Sequence, residues 1–143
     1  IRDAQESRGL GDVYKRQILS NPISMKVVRS NLRNFISSNH LNNIDSNQVI
    51  LATDEAVQNI IRYAYCMEKN HSIEFYFKCK NDDLVVQIRD FGKQFPIEEI
   101  KPRELNDIRP GGLGVHFIKS ICKKFDYQHV DDAKGGTLLT LVF

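Results

Sequence analysis

The chain has 143 residues, 41% hydrophobic and 27% charged, with a formal charge of +2. That length suits one domain with its own core, and the charge is too mild to indicate a nucleic-acid protein. No apolar run reaches the roughly 18 residues of a membrane-crossing helix, no apolar signal core opens the chain, and Cys66, Cys79 and Cys122 form neither a disulfide framework nor a zinc spacing, so reduced thiols in the cytoplasm are expected.

Residues 1–17, IRDAQESRGLGDVYKRQ, are rich in charge and keep no period of 2.0 or 3.6. A flexible tail would account for this. The segment also resembles linker sequence fused to a truncated gene, the reading we favour, so the domain is expected to span 18–143, with Ile18 and Leu19 as the stub of a first strand. Ser24 is placed to cap a helix from Met25 to about Ser38, with Val28, Leu32, Phe35 and Ile36 at helical spacing. After a polar turn, Asp45 with Gln48 three residues on predicts the start of a second helix, about 45 to 66. Residues 72–79 alternate as a half-buried strand, and LVVQIRDF follows across an Asn-Asp turn, which predicts an antiparallel hairpin. Pro96, Pro102 and Pro110 make 92–110 a long loop. A third helix follows Gly111-Gly112-Leu113-Gly114, and a final hairpin turns at Lys134-Gly135-Gly136 into TLLTLVF. Paired strands with a few helices predict an α+β fold and argue against a Rossmann domain.

Four sites carry polar residues that could do chemistry. Glu55 and Asn59 lie four apart on the second helix and share its face. Alone, that spacing is common on solvated faces. Functionally, an amide oxygen suits a hard cation such as Mg²⁺, and a carboxylate one turn away can accept a proton from an attacking hydroxyl. Asp90 ends a strand just before Gly92. It is an ordinary turn, or a carboxylate placed to accept from an exocyclic amine while the glycine admits a flat base. Gly111-Gly112-x-Gly114 before a helix lets backbone N–H groups approach an anion, although it lacks the Gly-Lys-Ser/Thr ending of a Walker loop. Thr137 opens the last strand, where its hydroxyl can join a purine-binding network beside Asp90.

The order of these elements is more specific than any one of them. TDEAVQNIIRYAY, IRDFGKQF, RPGGLGVHFIKSI and GGTLLTLVF occur in that sequence, and together they resemble the ATP-binding fold of the GHKL superfamily. Within it, residues 18–143 are most similar to the anti-sigma-factor serine kinases of the RsbW type. The resemblance implies a Bergerat-type two-layer α/β sandwich, its mixed, mainly antiparallel sheet carrying three helices on one face. It implies Glu55 as general base, Asn59 as Mg²⁺ ligand, and Asp90 with Gly92 and Thr137 around the adenine. Gly112, Leu113 and Gly114 would wrap the phosphates of ATP, with Arg62 and Arg109 as phosphate contacts. Tyr63 departs from the His common in that family, which puts the edge of the site in doubt. The short lid argues against a histidine-kinase catalytic domain, as does the lack of a preceding phospho-acceptor helix. The implied partners are a sigma factor and a STAS-domain anti-anti-sigma protein, with a homodimer left open and no nucleic acid or membrane. The alternative readings are a nucleotide-gated binding module without turnover and an accessory domain of a larger regulatory protein.

Overall fold

The computed structural model describes residues 5–6, 13–96 and 114–143. In chain order these form β1 (Gln5–Glu6), β2 (Val13–Leu19), a 3₁₀ turn (Pro22–Ser24), α1 (Met25–Ser38), α2 (Ser46–Asn59) and a π-helical turn (Ile60–Ala64). Then come β3 (Ser72–Lys80), β4 (Asp83–Asp90), α3 (Val115–Ile121), β5 (Lys124–His129) and β6 (Thr137–Val142). The strands make a sheet of order β1-β2-β3-β4-β6-β5. Each described pair is antiparallel, so the parallel component expected of a mixed sheet does not occur among the described residues. The reason lies in the connections. Hairpins join β3 to β4 and β5 to β6, and α1 with α2 returns the chain to the end of the sheet where β2 finished. There the Ser20 N–H donates to the His71 carbonyl at 2.7 Å.

Alternation along the strands sorts side chains by face. Ile73, Phe75 and Phe77 of β3 are fully buried with Val86 and Ile88 of β4 and Leu141 of β6. Val28 and Leu32 of α1, Val49 and Val57 of α2, and Ile118 of α3 belong to the same apolar cluster. Helices on one face of an antiparallel sheet give the two-layer α+β architecture. The other face carries Lys15, Glu74, Tyr76, Gln87 and Arg89, in register across the strands.

Three local expectations change. Ser24 occupies the N-cap of α1 without a side-chain cap bond. The chain instead enters through the 3₁₀ turn, whose Asn21 side chain accepts from the Ile23 N–H at 3.2 Å. The second helix does not run on to residue 66. It leaves α geometry after Asn59, and the Tyr65 N–H reaches the Ile60 carbonyl at 3.0 Å, five residues back. Cys66 and Met67, both at positive φ, then reverse the chain. The third change concerns the segment set apart as residues 1–17. Val13–Gln17 are not free of the domain: they form most of β2 and pair residue by residue with β3. The physical reason is an aromatic contact that charge counting does not reveal. Tyr14 stacks on Phe77 with ring centroids 5.4 Å apart and planes 10° from parallel.

Offset stacking of this kind is worth about 0.5–1.5 kcal/mol beyond area burial. Tyr14→Ser is therefore expected to lower stability by about 1–2 kcal/mol in urea unfolding. An unchanged midpoint would mean that the Val13–Gln17 pairing adds nothing to the domain.

Candidate functional site

α2 is amphipathic in an unusual way, because its buried side includes ionisable and polar groups. Glu55 and Asn59 are each 2% exposed, between the buried Ala56 and Ile60. The helix starts with its Asp45 side chain accepting from the Asn47 N–H at 2.9 Å, which sets the phase that turns Glu55 and Asn59 inward. On the neighbouring face, Asp54 takes two bonds from Arg29 Nε of α1, at 2.9 and 3.2 Å. Burial pushes the Asp54 pKa up, Arg29 pulls it down, and adjacent Glu55 adds to the rise.

Glu55 accepts from the Gly114 N–H at 3.2 Å, fifty-nine residues away in sequence. Gly114 is the N-cap of α3 and holds φ 84°, ψ 172°, a conformation that a side chain would resist. The expected base and the last glycine of the expected phosphate loop are thus in direct contact. Asn59 is the last α-helical residue before the π-helical turn. Its Nδ2 is buried and finds no partner among the described residues. Turns of π-helix are rare and concentrate at functional sites.

The second group of polar residues is set by sheet register. Asp90 closes β4 and Thr137 opens β6, and the two are direct partners across the ladder. Asp90 is 1% exposed and Thr137 5%. The Thr137 Oγ1 also finds no partner among the described residues. The Gly92 N–H donates to Asp90 Oδ1 at 3.0 Å. Burial is the main influence on Asp90 and pushes its pKa up to about 6, partly offset by the Gly92 amide, by Arg89 and His129, and by the Thr137 amide.

Gly92 has a reason to be glycine beyond admitting a flat base. A Cβ there would lie 2.5 Å from the Ala64 carbonyl oxygen and 2.8 Å from Tyr65 Cδ1. The Lys93 N–H bonds that same carbonyl at 2.9 Å. Gly136, expected only as a turn residue, sits at φ +82° and close to the backbone at the end of β4. A Cβ would fall 2.1 Å from the Asp90 carbonyl oxygen. The signal available was the Gly-Gly pair before Thr137, which reads as a turn and gives no hint of close approach. Tyr65 was also missed, because a Tyr near a helix end has no spacing signature.

Of the remaining expected residues, Arg62 lies over the Tyr63 ring at 6.0 Å. Tyr63 packs on Phe95 with centroids 5.7 Å apart, so this aromatic anchors the start of the long loop. Arg109, Gly112 and Leu113, and most of the expected lid at 92–110, lie outside the described residues. Among the described residues no three His, Cys, Asp or Glu side chains cluster to hold a metal. A cation here would take one amide oxygen from the protein and the rest of its shell from ligand and water, a donor set that fits Mg²⁺.

A carboxyl whose pKa is higher in the fold than its unfolded value of 3.8 binds its proton more tightly when folded. Its contribution to stability is complete below pH of about 4 and is lost as pH rises to about 6. Two units correspond to about 3 kcal/mol. Asp90→Asn removes the titration, so the variant is expected to be more stable than the parent at pH 8 by about 1–3 kcal/mol and closer to it at pH 4.5. Urea unfolding at the two pH values measures this, and parallel pH profiles for both proteins would show that Asp90 does not titrate in the fold.

The family profile of the histidine kinase-like ATPase domain matches residues 18–143. The serine-protein kinase RsbW of Staphylococcus aureus strain bovine RF122 / ET3-1 is 33% identical over 81 residues, 50% of each chain. RsbW of strain MSSA476 is 34% identical over 80 residues, again 50% of each. The chain thus spans about half the length of the curated relatives it matches. Among solved structures, the RsbU and RsbW domains of Rv1364c from Mycobacterium tuberculosis share the fold, with a TM-score of 0.60 at 16% identity, covering 91% of this chain and 31% of that one. A buried Glu and Asn on one helix, a strand-end Asp facing a Thr, and a family match that starts at Ile18 and runs to the last residue agree: the chain belongs to the histidine kinase-like ATPase domain family.

Proposed function

We propose that this protein is a cytoplasmic ATP-dependent serine/threonine kinase and anti-sigma factor, which phosphorylates a STAS-type anti-anti-sigma protein and sequesters a sigma factor. The observation that carries the reading is a set of four buried polar side chains, Glu55, Asn59, Asp90 and Thr137, two of which keep a buried atom with no described partner. Buried polar atoms without partners cost about 1–3 kcal/mol each, and a nucleotide with its waters would satisfy them. The relatives named serine-protein kinase support the choice of protein hydroxyl as acceptor.

In this reading Asp90 accepts from the adenine amine and Thr137 supports the base from the adjacent strand. The Asn59 side chain would hold Mg²⁺, which when bound neutralises charge on the phosphate oxygens. The Gly114 amide, with Gly112 and Leu113, would face the phosphates, and Arg62 and Arg109 are proposed to reach them. Glu55 accepts the proton of the incoming serine hydroxyl, and the chain's remaining task is positioning, on which phosphoryl transfer mainly depends. One observation favours a second reading, a nucleotide-gated binding module without turnover: the Glu55 carboxylate accepts from the Gly114 N–H, a structural role for the group expected to act as base.

Incubation with Mg²⁺, ATP and a purified STAS-domain protein encoded beside this one, followed by intact mass, separates the two. Transfer adds one phosphoryl group to the STAS protein, and the binding module leaves its mass unchanged. Glu55→Ala is expected to retain ATP while losing transfer by roughly 10²–10⁴ in rate, whereas Asn59→Ala should lose Mg²⁺-dependent affinity as well. Wild-type transfer by Glu55→Ala would place the base elsewhere.

A further inference from the structure

The two halves of the site sit on different layers: Asn59 on the helices and Asp90 on the sheet. What joins them is the short path Ile60–Tyr65. Tyr65 follows the π-helical turn and is 4% exposed. Its hydroxyl accepts from the Phe91 N–H at 2.7 Å and donates to the Ser72 carbonyl at 2.6 Å. Phe91 lies between Asp90 and Gly92, beyond the last rung of β4, where no ladder partner remains for its amide.

We propose that Tyr65 is a positioning residue for Asp90, its hydroxyl holding the strand end at the height from which the carboxylate reads the adenine amine. The inference rests on the nucleotide-binding reading above and assigns the group that sets its base selectivity. Tyr65 is itself held by its neighbours. His71 stacks against its ring, centroids 4.7 Å apart and planes 12° from parallel. Gly92 approaches so closely that a Cβ there would lie 2.8 Å from Tyr65 Cδ1. His71 in turn is fixed by Ser20, the residue just after β2: the His71 N–H donates to Ser20 Oγ at 3.2 Å, and the fully buried Ser20 hydroxyl donates to the Glu68 carbonyl. Burial raises the Tyr65 pKa, so the hydroxyl keeps the proton it needs to bond Ser72 throughout the neutral range. A tyrosine with one acceptor role and one donor role, both used on backbone groups, fixes a backbone position in a way that phenylalanine of the same shape cannot.

The test compares Tyr65→Phe with wild type for binding of ATP and of inosine triphosphate, which carries a 6-oxo group in place of the amine, each with and without Mg²⁺. Removing the tether is expected to weaken ATP about five- to twentyfold and inosine triphosphate by no more than about twofold, narrowing the discrimination, while the Mg²⁺ dependence set by Asn59 stays as in wild type. Equal weakening of both nucleotides means a general packing role and overturns the proposal, as does an unchanged ratio. Failure of the wild-type protein to bind ATP overturns the nucleotide reading itself, a separate result. A measurement that needs no variant is amide exchange of the ligand-free wild type. The Phe91 N–H should be protected without nucleotide, and exchange at the rate of a free amide would show that the tether is not made.

Discussion

The structure turns on the contact between the end of β4 and the turn that follows α2. Ala64 offers its carbonyl to the Lys93 N–H, and Gly92 lies so close that no side chain fits. This approach brings the helical layer and the sheet to a fixed separation at one end of the molecule. The buried Asp90 immediately precedes this contact in the chain, and the buried Asn59 precedes the turn that makes it. Elsewhere the layers are joined by apolar packing of Phe75, Phe77, Val28 and Leu32, which is strong but tolerant of small shifts. Backbone-to-backbone contact is not tolerant, and it fixes the turn that follows Asn59 against the segment that follows Asp90.

The π-helical turn is what makes the approach possible. An uninterrupted α-helix would carry Ala64 and Tyr65 around by one position and aim their groups elsewhere. The wider turn, followed by left-handed Cys66 and Met67, points the Ala64 carbonyl and the Tyr65 ring at the sheet. Such local departures cost energy and persist where the surroundings over-determine them. Here the surroundings include His71, Ser20 and Ser72, all from the strand ends at the same edge. The strand β2 therefore does more than cover β3. Ser20, which follows it directly, ties down the turn that supports Tyr65.

Burying Asp90, Glu55, Asn59 and Thr137 together is a cost that an apolar core would avoid. Asp90 shows it most directly, since burial alone outweighs two amides and nearby positive groups in setting its proton affinity. Gly136 contributes by allowing the chain that enters β6 to lie against the Asp90–Phe91 backbone.

Much of this was legible in the chain itself. Helical spacing located α1 and the start of α2, and strand alternation located β3 and β4, because those residue types answer to local rules of period, capping and turn formation; the expectation of a nucleotide site came instead from the resemblance of the ordered motifs to a known family. Three things did not follow from local rules. The π-helical turn depends on a contact from β4, twenty-eight residues beyond Ala64 in Gly92, so α2 read as a single longer helix. The inclusion of Val13–Gln17 depends on Tyr14 meeting Phe77, a pairing fixed by strand register. The hydroxyl of Tyr65 acquires meaning only when Phe91 and Ser72 are brought to it. Motifs declare which side chains are present and on which face of their own element they lie. Distances between elements are decided by packing, and in this protein packing sets the spacing between the two halves of the site.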